Sequence, residues 1–306
     1  MKTNKIVVLG SCNTDMVVKS SRLPVPGETI LGGTFMMNPG GKGANQAVAA
    51  ARLGGNVTFV AKTGNDLFGR QSIELYNDEN INTDFISSDP DLPSGVALIT
   101  VDGSGENCIV VASGANGSLS PADVKDAEKE ITSANILLMQ LEVPVETVEY
   151  AAKMAKQKGV KVILNPAPAQ SLSNDLLSNI YMMIPNETEA EIISGIKVTD
   201  VESAKKAADI ICSKGVDIVV ITMGSAGALL KEGNEYHQIP ALKVKAVDTT
   251  AAGDTFCGAI SVALSEGKSL VDAIKFANQC GAVTVTRMGA QASIPYRKEV
   301  LTGATV

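Results

Sequence analysis

The sequence holds a single histidine, His237, among its 306 residues. A multi-histidine metal centre is therefore excluded, and a histidine-based nucleophilic triad has only this one candidate base. His237 lies in Glu235-Tyr-His-Gln-Ile239, whose alternation reads as an ordinary strand. The five cysteines, at positions 12, 108, 212, 257 and 280, form no C-x-x-C pair. In a chain of this length they read as reduced thiols packed as small hydrophobes. Long apolar runs are missing too. Nothing approaches the roughly 20 residues of a membrane-spanning helix, and the apolar stretch 6–9 is too short for the core of a secretion signal. The expected location is the cytoplasm, with no membrane partner. Positive charge is scarce: 26 Lys and Arg stand against 33 Asp and Glu, a net charge of -7. That argues against nucleic acid as a partner. It leaves anionic ligands open, because backbone amides can hold them locally.

Two familiar nucleotide motifs are also absent. Gly267-Lys-Ser269 looks like the end of a P-loop, but Val262 stands where the leading glycine is required. Thr222-Met-Gly-Ser-Ala-Gly227 resembles a dinucleotide fingerprint with a threonine in place of its first glycine. A nucleotide bound here is held by another geometry.

What is present is a regular alternation of strands and helices. Strands are expected at 5–10, 57–62, 136–139, 160–164, 181–184 and 218–222. Helices are expected at 44–53, 66–77, 145–158, 187–194, 201–214, 253–265 and 270–287, with shorter ones after Ser120-Pro121 and at 172–177. Two or three antiparallel strands follow between 226 and 247. Such alternation implies an α/β fold, a mostly parallel sheet flanked by helices. Residues 96–101 and 107–112 flank Asp102-Gly-Ser-Gly105 as a hairpin. With 29–37 they do not fit the alternation and suggest a small β appendage. No internal repeat or low-complexity linker divides the chain.

Four segments carry chemistry. In Asp248-Thr-Thr-Ala-Ala-Gly-Asp254-Thr-Phe-Cys-Gly258 small residues run directly into a helix. The amides of Ala251, Ala252 and Gly253 can converge on one spot, where the helix dipole adds positive potential. That suits charge developing on a transferring phosphoryl group. Asp254, in the first helical turn, can accept a hydroxyl proton. In Asn38-Pro-Gly-Gly-Lys-Gly-Ala-Asn-Gln46 three glycines around Lys42 let backbone approach a ligand closely. Gly10-Ser-Cys-Asn13-Thr-Asp15 follows the first strand, at the edge where α/β sheets bind ligands; Asn13 and Asp15 can bond adjacent hydroxyls. In Pro185-Asn186-Glu-Thr-Glu189, Asn186 is a helix N-cap and Glu189 closes a capping box, at a strand end that can also face a nucleotide.

Together these segments resemble the ribokinase, or PfkB, family of carbohydrate kinases. Gly40-Gly-Lys-Gly-Ala-Asn45 and Asp248-Thr-Thr-Ala-Ala-Gly-Asp254 are similar to its two signatures, and Gln140-Leu-Glu142 agrees as well. The resemblance implies one catalytic α/β domain over residues 1–306, with a β-sheet lid from two insertions at approximately 14–40 and 94–113. It implies ATP-dependent phosphorylation of ribose at the 5-hydroxyl, or of deoxyribose, another sugar or a nucleoside. Asp254 would be the general base. Asn13, Asp15, Gly41, Lys42, Asn45 and Glu142 would hold the sugar. Asn186, Thr222, Gly224, Gly227, Gly253 and Asn278 would line the ATP site, with Glu189 acting on Mg²⁺ indirectly. A monovalent cation, K⁺, would sit among Asp248, Thr250, Thr284, Arg287, Gly289 and Ser293. The lid would pair two copies into a homodimer.

Overall fold

The computed structural model describes residues 4–301. Its largest element is a nine-stranded sheet. In chain order its strands are β1 (Lys5–Leu9), β4 (Asn56–Gly64), β5 (Ile86–Asp89), β8 (Ile136–Met139), β9 (Lys161–Leu164), β10 (Met182–Met183), β11 (Ile218–Thr222), β12 (Ala228–Glu232) and β13 (Glu235–Ile239). Spatially they run β13-β12-β11-β10-β9-β8-β1-β4-β5, parallel from β11 to β5 and antiparallel at β12 and β13. The short apolar strands are those of a sheet covered on both faces. Along β1, Ile6 and Val8 join one core, and Val7 and Leu9 the other. The first core holds α1 (Lys42–Arg52), α9 (Ala252–Ser265) and α10 (Leu270–Val285). The second holds α3 (Pro121–Asp126), α4 (Glu128–Thr132), α5 (Val145–Gln157), α7 (Glu187–Ser194) and α8 (Val201–Ser213). The remaining helices are α2 (Leu67–Asp78), α6 (Asn174–Leu177) and α11 (Arg297–Leu301). No helix among the described residues is long and apolar enough to cross a membrane.

The appendage is a separate four-stranded sheet of β2 (Asn13–Lys19), β3 (Thr34–Gly40), β6 (Gly95–Val101) and β7 (Asn107–Ala112), in the order β3-β2-β6-β7. β2 pairs antiparallel with β3 and parallel with β6. The hairpin over Asp102-Gly-Ser-Gly105 forms as expected. One expectation is corrected here. The strand expected at 29–37 starts only at Thr34 and runs to Gly40, because Gly32 and Gly33 take positive φ angles of 97° and 113° that end the extended chain before it. Residues 13–15 are the start of β2, and of the two or three antiparallel strands expected between 226 and 247 two form, β12 and β13. His237 is a plain strand residue opposite Leu230, and all five cysteines are free.

One packing detail sets the site. A Cβ on Gly258 would come 2.7 Å from the Ala49 Cβ and 2.9 Å from the Gln46 carbonyl oxygen. Glycine there, with alanines on the facing side of α1, lets α9 lie against α1. The start of α9 thereby meets the start of α1.

Candidate active site

The carboxyl ends of β1, β8, β9, β10 and β11 open on one side of the large sheet, and every chemistry-bearing segment of the sequence lies there. Asp254 is at the centre, 7% exposed. Its Oδ2 accepts from Asn45 Nδ2 at 2.9 Å and its Oδ1 from Gln46 Nε2 at 3.0 Å. Asn45 Oδ1 is buried without a partner. A buried amide oxygen is costly unless a donor reaches it, and a ligand hydroxyl is such a donor.

Asp254 lines a small pocket of about 210 Å³ with Lys42, Asn165, Asn186, Glu189, Thr222 and Gly253. Lys42, named among the sugar ligands, lines this pocket beside Asp254, and its backbone N–H bonds Glu142 at 3.0 Å. Burial opposes its charge, but Asp254, Glu142 and Glu189 outweigh that and raise its pKa. Glu189 is pushed up by burial and by Asp254, against the Asn186 amide and Lys42. Both its oxygens are engaged, Oε2 by the Asn186 backbone N–H at 2.9 Å and Oε1 by Asn186 Nδ2 at 3.0 Å. Glu189 thus closes the capping box and fits a divalent cation only through intervening water. Among the described residues no cluster of three His, Cys, Asp or Glu could hold a metal by itself.

The small pocket shares Asn186, Thr222, Thr249 and Gly253 with a cleft of about 680 Å³, lined further by Gly224, Gly227, Phe256, Asn278 and Val285. Thr222 is tied to this wall through its backbone N–H on the Pro185 carbonyl at 2.9 Å. Asn278 donates to the carbonyls of Ile239 and Pro240, at 3.3 and 3.1 Å. It therefore shapes the cleft through backbone as well as lining it. The P-loop lookalike lies elsewhere: Ser269 caps α10 and Lys268 stacks on Phe276.

At the turn into α9, Ala251 adopts the left-handed conformation, φ 59°. A non-glycine there stores roughly 1 kcal/mol of strain, which marks the turn as held in place by its surroundings. The Ala252 N–H is engaged by the Thr249 carbonyl at 3.3 Å. The Thr255 N–H bonds the Ala251 carbonyl at 2.8 Å, so the donors left for an anion are the amides of Ala251, Gly253 and Asp254. A Cβ on Gly253 would meet no protein atom within 4 Å, so the space beside it is open cleft.

Asp248 accepts from the Thr250 backbone and hydroxyl at 2.9 and 2.6 Å, and from the Gly289 backbone N–H at 2.9 Å. The Asp248 and Val247 amides both reach the Val285 carbonyl. The two segments named for a cation therefore meet. The Thr284 carbonyl accepts from the Arg287 amide, and the buried Ser293 hydroxyl donates to the Ala290 carbonyl. The Arg287 guanidinium is turned to Glu299. The donor set is oxygen throughout, which suits a hard cation.

The opposite end is polar and sits under the small sheet. Glu142 Oε2 accepts from the Ser11 hydroxyl at 2.5 Å and the Lys42 backbone N–H at 3.0 Å, at the start of α1. Gly41, at φ 88°, bends the chain into that helix where a Cβ would strike the Asn13 amide. Asn13 Oδ1 accepts from Asn116 at 2.7 Å, and Asn116 also pairs with both backbone groups of Cys12. Asp15, on β2, lies so close to Gly40 that a Cβ there would overlap its carboxylate. Burial, then Glu142 and Asp254, push Asp15 up to about 6. Among these residues sequence reasoning passed over Asn116, Asn165 and Gln46. Asn165 and Gln46 were findable, since one follows a strand end and the other a signature motif. Asn116, in a 3-10 turn far along the chain, carries no local signal.

A wide cleft, a carboxylate at its inner end beside an exposed helix start, and a polar pocket beneath a small sheet have the architecture of a carbohydrate kinase. The chain belongs to the pfkB family carbohydrate kinases, whose pattern matches residues 3–297. It is 48% identical to the Haemophilus influenzae protein named ribokinase, over 97% of both chains. It is 37% identical to the Salmonella typhi deoxyribokinase over 95% of both. The structure of Arabidopsis thaliana ribokinase complexed with ribose and ATP superposes with a TM-score of 0.92 at 34% identity, covering 99% of both chains.

Proposed function

We propose that this protein transfers the γ-phosphoryl group of ATP to the 5-hydroxyl of ribose, giving ribose 5-phosphate and ADP. The observation that carries the reading is Asp254, gripped by two side-chain amides where the wide cleft meets the polar pocket. ATP occupies the cleft between Thr222, Gly224, Gly227, Asn186 and Asn278, with its terminal phosphate toward Gly253. The sugar lies under the small sheet, which serves as a lid. Asp15 and Asn45 take its ring hydroxyls, and Asn13, Gly41 and Glu142 shape the pocket around it. Asp254 draws the proton from the primary hydroxyl as that oxygen attacks phosphorus. Lys42 and the amides at Ala251 and Gly253 face the charge that builds on the phosphoryl oxygens. Mg²⁺ accompanying the nucleotide would supply further charge neutralisation there, with Glu189 as an indirect partner. The Asp248 carboxylate, the carbonyls of Thr250, Thr284, Arg287 and Gly289, and the Ser293 hydroxyl would hold a K⁺ ion, whose positive charge would help keep the turn at 248–253 in its strained form.

A panel of ribose, deoxyribose, other pentoses and nucleosides in a coupled ADP-release assay tests the substrate. Ribose is expected to give the highest kcat/KM, and faster in K⁺ than in a bulky organic cation at equal ionic strength. A nucleoside turned over best would overturn the ribose reading; equal rates in both salts would remove the cation.

Asp15 supplies a pH dependence with a definite sign. Its carboxyl titrates at about 6, and its ionised form accepts the sugar hydroxyls. The sugar KM should be flat above pH 7. As pH falls through the Asp15 pKa it should rise toward a plateau roughly tenfold to hundredfold higher, the worth of a hydrogen bond to a charge. The ATP KM should stay level. Asp15→Asn should raise the sugar KM and abolish its pH dependence; a parent-like profile in that variant would exclude Asp15 as the titrating group.

The outer face of the lid carries Val18, Phe35, Met37, Leu98 and Val110, between 39% and 67% exposed. A contiguous apolar face with open strand edges calls for cover, and the same face of a second copy supplies it. Light scattering at micromolar concentration should give the mass of a homodimer; a monomer would contradict this. The reaction draws on ATP, which fits a cytoplasmic enzyme.

A further inference from the structure

Gln46 lies one residue beyond the sugar-side signature on α1 and is fully buried. Every hydrogen bond of its amide is committed. Nε2 donates to Asp254 Oδ1 at 3.0 Å and to Asn165 Oδ1 at 3.1 Å, and Oε1 accepts from Gln140 Nε2 at 2.6 Å. Asn165 in turn spends its Nδ2 on the Ile184 carbonyl at 3.0 Å, so only its oxygen faces Gln46. Two acceptors on one side and a donor on the other leave the Gln46 amide a single orientation. Turned by half a rotation, it would set oxygen against a carboxylate and NH₂ against NH₂. Gln140, Asn165 and Ile184 follow β8, β9 and β10, so the frame that fixes Gln46 is the sheet itself.

We infer that Gln46 is a positioning residue for phosphoryl transfer: its buried amide holds one oxygen of Asp254, as Asn45 holds the other, so that the carboxylate stays aimed at the acceptor hydroxyl. This rests on Asp254 being the base. Asp254 sits in the first turn of α9, where rotation about its side-chain bonds would otherwise turn it from the substrate. Near-attack chemistry tolerates little such freedom. The other titratable groups facing Asp254 are Lys42 on α1, Glu189 on α7, Asp15 on β2 and Cys257 on α9. None of them contacts Gln46 by hydrogen bond, and a change at Gln46 leaves them in place.

Gln46→Met keeps the length of the side chain and removes its donor. Its kcat should fall roughly tenfold to hundredfold, the worth of a hydrogen bond to a charged group. The KM values for sugar and ATP should stay within about threefold, because a buried residue touches neither. A purely structural role would raise the KM values and lower the melting temperature along with the rate; a positioning role lowers kcat alone. Gln140→Met leaves the donor and releases only its orientation, and should give a smaller change of the same sign; it carries the test if Gln46→Met does not fold. Asp254→Asn, assayed in parallel, separates the two ideas. An inactive Asp254→Asn beside a Gln46→Met whose rate is parental, or falls only together with a raised sugar or ATP KM, would overturn the role of Gln46 alone. Normal turnover by Asp254→Asn would overturn both.

Discussion

Asp254→Asn is expected to lower kcat by roughly 10²–10⁴-fold while sugar and ATP binding change little. The substitution keeps the shape of the side chain and removes the proton acceptor. The surroundings add a second consequence. Asn45 Nδ2 and Gln46 Nε2 both point donors at this position, and an asparagine offers only one oxygen to the two. One buried donor loses its partner, which costs about 1–3 kcal/mol. The variant should therefore melt a few degrees lower and remain folded. Calorimetric titration with ribose checks binding, and steady-state turnover checks the loss. Turnover near that of the parent would remove Asp254 from the chemistry.

Gly253→Ala should act in the opposite sense on stability and in the same sense on rate. Alanine in the first turn of a helix is favoured over glycine by about 0.5–1 kcal/mol, and its Cβ meets no protein atom within 4 Å. The melting temperature should match or exceed that of the parent. The methyl group projects into the cleft, where it holds the phosphoryl oxygens away from the helix amides. Losing one such donor costs roughly 10²–10³ in kcat. A stable and fully active Gly253→Ala would mean that the phosphates do not approach this turn.

Much of the large sheet was legible because its strands are short apolar runs followed by punctuation. Ile136–Met139 and Glu187–Ser194 appear with the boundaries expected of them. The turn into α9 was legible for a different reason: alanine and glycine before an acid leave few other local structures. The small sheet was harder. β2 pairs with β6 some eighty residues away, and nothing near Asn13 announces that partner, so no strand at 13–19 could be read from local pattern. Asn38-Pro-Gly40 reads locally as a loop, yet it completes β3 because β2 is there to pair with it. The grip on Asp254 was beyond sequence reasoning for the same cause. Gln46 meets Asn165 and Asp254 across 119 and 208 residues; the end of β9 presents the first, and the packing of α9 on α1 over Gly258 brings the second. Lys42 was legible as a signature residue, but not that its side chain lines the pocket beside Asp254 and Glu189 while its backbone N–H bonds Glu142.

The central claim is that the primary hydroxyl of ribose is the acceptor. It is tested most directly by incubating the protein with ribose, ATP and Mg²⁺ and correlating phosphorus with protons in the product by NMR. Coupling of the new phosphate to the two C5 protons is the expected result. Coupling to the anomeric proton, or ADP formed with no phosphorylated sugar, would contradict it.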